Sequence, residues 1–149
     1  MMQQFFSNQI LITVIIAWLL AGLLKVPIEY LETHDWNWAL WFSPGGMPSQ
    51  HSALVTANML AVGLYDGFDT AAFAISFTLM IVVLYDAAGV RRQAGLQAVK
   101  INQLINEFFA GHAISENQLK EVLGHTPREV IGGVAFGLAT ALGLWLLWR

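Results

Sequence analysis

Two histidines in this chain stand in company that suggests chemistry. His51 closes the run Gly45-Gly46-Met47-Pro48-Ser49-Gln50-His51, and His125 is followed four residues on by Glu129. An imidazole titrates near neutrality and can act as nucleophile, acid or base. Glu129 would hold one imidazole in a single tautomer. Arg91 and Arg92 offer planar forks that match phosphate oxygens, and Lys25 and Lys120 add point charges. Gly45 and Gly46 let backbone approach an anion closely. Pro48-Ser49 begins a helix, whose free N–H groups favour phosphate. The set fits phosphoryl transfer, with arginines for charge, one histidine as nucleophile and the other as acid. A metal site built from His51, His125 and Glu129 is disfavoured because nearby arginines would repel the cation. No metal or other cofactor is expected.

Each residue also has a plainer reading. Thr126-Pro127-Arg128-Glu129 is a helix capping box with proline at the first helical position, which alone accounts for Glu129. Arg91 and Arg92 read equally as topology determinants meeting anionic lipid. Gly45-Gly46 reads as a turn, and His51 as a polar residue at a helix start. His34 and His112 lack such company and are assigned to surface loops.

The elements that must bring these residues together follow from composition. Of 149 residues, 56% are hydrophobic and 11% charged, with a mean hydropathy of +0.57. Soluble domains carry about 25% charged residues, so this chain cannot coat a globule in water. Disorder needs low hydrophobicity. Seven Lys and Arg against ten Asp and Glu leave no basic excess for a nucleic acid. Cysteine is absent, which removes disulfides and thiolate chemistry. What remains is a small integral membrane protein, one domain over residues 1–149, with membrane lipid as its surroundings.

Four apolar stretches are candidate spans: Ile10 to Leu24, Ala53 to Tyr65, Ala71 to Tyr85 and Val130 to Trp148. About 20 apolar residues cross a bilayer core. Only the last meets that length alone; the second, with Thr56 and Asn58, needs shielding inside a bundle. The expectation is an all-α polytopic bundle of about four spans plus an interfacial helix, with three spans and a re-entrant segment as the alternative. Trp36, Trp38, Trp41, Trp145 and Trp148 are expected at the interfaces. A helix is expected over Arg91 to Phe109 and a short one after the capping box at Ser115. Lys25, Arg91, Arg92, Lys100, Lys120 and Arg128 fall in the first and third connections, which places those connections in the cytoplasm. The setting expected is a bacterial inner membrane, with the polar clusters near the cytoplasmic face.

Those clusters carry a resemblance. Gly45 to Ala53, Asp86-Ala87-Ala88-Gly89-Val90-Arg91-Arg92-Gln93-Ala94-Gly95, and Leu119 to Val130 resemble, in order and over nearly the whole chain, the divergent branch of the type 2 phosphatidic acid phosphatase family. The main family has a Pro-Ser-Gly-His motif, matched by Pro48-Ser49-Gln50-His51 with Gln50 where glycine is usual. It also has an Arg-x5-His-x3-Asp motif, matched at His125 and Glu129, with Leu119 in the arginine's place. The resemblance implies that His125 attacks phosphorus, that Glu129 orients it, and that His51 protonates the leaving oxygen. The substrate implied is a lipid-linked phosphate or diphosphate. A competing reading is a non-catalytic protein that binds or transports phospholipid headgroups in the same anion pocket. A third is a scaffold docking through the helix after Arg92. Imidazole rings within about 8 Å of each other, with an arginine fork between, could share one phosphoryl group.

Overall fold

The computed structural model describes residues 6–41, 43, 45–108 and 124–149, and every regular element among them is helical. In order these are α1 (Gln9–Thr33), a 3₁₀ turn (Trp38–Trp41), α2 (Gln50–Tyr65), α3 (Ala71–Tyr85), a π-helical turn (Asp86–Val90), α4 (Arg91–Phe108) and α5 (Pro127–Trp148). Four of the helices begin on a short polar residue whose side chain accepts a first-turn N–H. Asn8 accepts from Leu11, Ser49 from Ser52, Thr70 from Phe73 and Thr126 from Glu129, as orphan donors at a helix start require. α1 ends at His34, which takes φ 63° and returns its N–H to the Tyr30 carbonyl at 2.9 Å. His34 is exposed, whereas His112, Lys120 and the Ser115 capping box lie outside the described residues.

α2 is the central helix and packs on α1, α3 and α5. Its inward residues are small. Ala53, Ala57 and Ala61 recur every fourth position and are fully buried, and Ala17, Ala21 and Ala141 face them from α1 and α5. Ala17, Ala57 and Ala141 form one cluster among three helices. Gly133 and Gly137 of α5 bring backbone against backbone. A Cβ at Gly137 would lie 2.5 Å from the Ala53 carbonyl oxygen, and one at Gly133 would strike the Ser49 carbonyl. Helices in lipid gain nothing from hiding apolar surface from each other, so close van der Waals approach through small residues is what holds them. The bulky side chains point outward instead: Ile75 is 70% and Leu147 77% exposed. That inversion suits a chain whose solvent is hydrocarbon.

The four apolar stretches all fall on helices, but among the described residues three helical segments are long and apolar enough to cross a membrane: Gln9–Leu31, Ala71–Ile105 and Pro127–Trp148. α2, with 16 residues, extends about 24 Å at 1.5 Å per residue, short of a core about 30 Å thick. Enclosed by three neighbours, it can carry Ser52 and Thr56 buried. The helix expected after Arg91 is α4. It follows α3 through the π turn with no break, forming a run of 35 residues. At about 52 Å that run is longer than a hydrocarbon core is thick.

Candidate functional site

His125 sits on the short link ahead of α5 and is 3% exposed. Thr126 caps α5, and Pro127 follows at a position that needs no N–H donor. The first turn of α5 then carries Glu129 back over His125. Glu129 serves twice. Its N–H donates to Thr126 Oγ1 at 3.4 Å, and its Oε2 lies 2.7 Å from His125 Nδ1. Because a carboxylate only accepts, Nδ1 carries the proton of this bond.

His51 occupies the first turn of α2. Its ring centroid is 6.4 Å from that of His125, with the planes at 61°, a separation inside the span one phosphoryl group can bridge. The two helix starts are tied by the Ser49 N–H, which donates to the Glu129 carbonyl at 3.0 Å. Two helix N-termini, each with partial positive charge, therefore meet where the imidazoles meet. Ser49 itself is fully buried. Its Oγ accepts from the Ser52 N–H at 3.3 Å and the Ser52 hydroxyl at 3.0 Å, so its side chain braces the helix start.

Lys25 reaches this place from the late part of α1. It is 3% exposed, and its Nζ donates to the Ser43 carbonyl at 3.2 Å. An ionisable group inside a membrane segment is costly and usually marks function. Gly45 and Gly46, at φ +92° and +79°, turn the loop beside the lysine; a Cβ on Gly46 would lie 3.6 Å from Lys25 Cδ. Positive φ is where glycine is favoured, so the pair shapes the loop that covers the cation.

A cavity of about 270 Å³ joins these groups, lined by Trp18, Lys25, Trp41, Ser43, Gln50, His51 and His125. Three sequence candidates, Lys25, His51 and His125, thus share one wall, with Glu129 behind His125. Arg92 is exposed and does not line the cavity. Arg91 and Arg92 open α4 beyond the π turn, which packs against α5. Among the described residues, no group of three or more His, Asp or Glu is disposed to hold a metal ion. Trp18, Trp41 and Gln50 were not anticipated as lining residues. Gly22 was the available signal, one of two interruptions in the apolar run of α1, since a side chain there would collide with both Gln50 and Trp41.

Comparison with known proteins follows the same lines. The model of the family described as the divergent PAP2 family matches residues 6–140. An uncharacterized membrane protein YuiD of Bacillus subtilis (strain 168) is 40% identical over 149 residues, covering 93% of this chain and 94% of that protein. No solved structure matches.

Proposed function

The chain belongs to the divergent PAP2 family of membrane proteins, and from that premise we propose that it is a membrane phosphatase acting on a lipid-linked phosphate or diphosphate. The observation that carries the reading is the pair of imidazoles 6.4 Å apart on a cavity that also holds Lys25. His125 Nε2 attacks phosphorus while Glu129 holds Nδ1–H. The P–O bond to the alcohol breaks, and His51 gives its proton to the leaving oxygen. Water then attacks the phosphohistidine, His51 takes the proton back, and phosphate departs. Lys25 and the two helix N-termini offset the charge on the phosphoryl oxygens. The basic residues of the first and third connections favour a site near the cytoplasmic face of a bacterial inner membrane.

Phosphate release from lipid phosphates by the purified protein tests this. His125→Ala should abolish release, and acid-labile label from a phosphorylated substrate should appear on the wild type and not on that variant. Unchanged turnover by His125→Ala rejects the mechanism. One observation favours a second reading: Lys25 is the single Lys or Arg lining the cavity among the described residues, which is little charge for a phosphoryl-transfer transition state. A headgroup-binding protein would use the same cavity and show saturable binding with no release.

A further inference from the structure

Away from the cavity, two exposed surfaces of opposite charge lie at the same end of the bundle. The first is the tip that follows α1. Tyr30 stacks on Trp36 with ring centroids 4.5 Å apart and planes at 22°, and Trp36 on Trp38 at 6.1 Å and 16°. Trp36 is 57% and Trp38 61% exposed. The sequence sets Glu29, Glu32 and Asp35 along the same stretch, and between Lys25 and Arg91 it holds no Lys or Arg. A bare aromatic stack in an acidic stretch fits a cation, whereas an anionic leaflet would repel the acids. The second surface is on α4. Arg92, Leu96, Lys100 and Leu104 recur every fourth residue, which sets them on one face of the helix. All four are exposed, while Gly95 and Asn102 on the other side are buried. Among the described residues Arg92, Lys100, Glu29 and Asp35 make no ion pair; His125 and Glu129 do. α2 runs away from the site, and α3, joined to it by residues 66–70 and packed on it, runs back. α4 therefore starts at the end of the bundle where α1 finishes.

We propose that the chain pairs with a second copy of itself in the same membrane, the acidic aromatic tip of each copy receiving the basic stripe of the other copy's α4. The occupant is a second copy because the chain carries both complementary halves on one side of the bundle and joins neither within itself. A reciprocal twofold arrangement uses each half once and closes. The exposed rings and leucines supply the apolar area such an interface buries, with Trp and Arg the residue types that anchor interfaces. The charges choose the partner and the register, since exposed ion pairs add little strength of their own. The pairing is separate from the chemistry of the cavity and holds whether or not the protein turns over a phosphate ester.

Sedimentation equilibrium of the full-length purified protein in an uncharged detergent tests this. At low salt the wild type should be a dimer. Its dissociation constant should rise with ionic strength, because exposed charges are screened over about 10 Å at 0.1 M. A tip variant, Glu29→Lys with Asp35→Lys, and a stripe variant, Arg92→Glu with Lys100→Glu, should each weaken pairing about tenfold or more, since each sets like charges together at both contacts. Mixing the two variants matches both contacts again, and so does combining all four substitutions in one chain; each should restore the wild-type constant. The salt series needs no variant, so a variant that fails to fold leaves the test standing. A wild type still monomeric at about 100 μM, a generous limit for association, overturns the proposal. So does pairing that both variants leave unchanged, or that neither the mixture nor the combined chain restores. The other occupant open to the tip is the lipid headgroup layer. The chain has no cysteine, so a fluorophore on Asn37→Cys in nanodiscs reports contact with a headgroup-borne quencher. Quenching that is equal with and without the stripe substitutions seats the tip in lipid and overturns the pairing. Quenching that rises when the stripe is reversed supports it, because breaking the pair uncovers the tip.

Discussion

Replacing Gly137 by alanine should separate the two helices that hold the histidines, and the structure sets the size of the effect. The new Cβ would lie 2.5 Å from the Ala53 carbonyl oxygen and 3.1 Å from both Ala53 Cα and Ala57 N. All three are backbone atoms of α2, so no side chain can swing aside. Restoring ordinary contact moves α5 away from α2 by about 1 Å, against a core whose cost for overpacking is about 1–3 kcal/mol. Gly143 on the same helix has nothing within 4 Å of its would-be Cβ. Gly143→Ala therefore shows only the helix-propensity gain of about 0.5–1 kcal/mol. That gain is common to both variants, so their difference isolates the clash. For a chain of this length it amounts to roughly 3–10 °C in midpoint.

Thermal unfolding in detergent reads the difference directly. Phosphate release from a lipid phosphate reads its consequence for the site, because a displacement of about 1 Å near reacting groups costs about a hundredfold in rate. Gly132→Ala calibrates the scale. There the nearest atom is the mobile tip of Met47, at 3.0 Å, and the effect should be small. Equal midpoints for Gly137→Ala and Gly143→Ala would refute the argument that α2 and α5 touch through backbone.

Glu129→Gln should cut turnover at least tenfold while leaving the unfolding midpoint nearly unchanged, because the cap uses the Glu129 N–H and not its carboxylate; a stability loss without an activity loss would restore the plain capping role. His51→Ala should lower kcat by about 10²- to 10⁴-fold, with KM little moved, as steady-state kinetics would show. Lys25→Met should raise KM for the phosphate ester by about tenfold or more, the worth of a charged hydrogen bond, and an unchanged KM would remove Lys25 from the anion site. The chain has no cysteine, so Asp69→Cys and Arg128→Cys, both at exposed positions, report sidedness without background. In intact cells an impermeant thiol reagent should label the first and spare the second, and the reverse pattern would move the site to the outer face.

The parts of this molecule that were readable in its sequence are those governed by neighbours along the chain. The caps at Ser49 and Thr126 are set within one turn, and so is the reach of Glu129 to His125. The Gly45–His51 and Gly124–Glu129 clusters, each polar and each at a helix start, are closed on one another by the Ser49 N–H to Glu129 carbonyl bond. What stayed hidden is tertiary. Gly133 and Gly137 look like ordinary interruptions of an apolar run until α2 lies against them. Trp41 has the composition of an interface residue, yet it lines the cavity because Gly22 leaves room on α1. Arg91 and Arg92 show the same limit from the other side. Their charge and position suited a phosphate clamp, but Arg92 is exposed and does not line the cavity. A cation therefore acquires its role from the helix end that carries it. Lys25 joins the imidazoles because α1, packed on α2 by its own alanines, brings it there buried, a placement that local sequence pattern cannot encode.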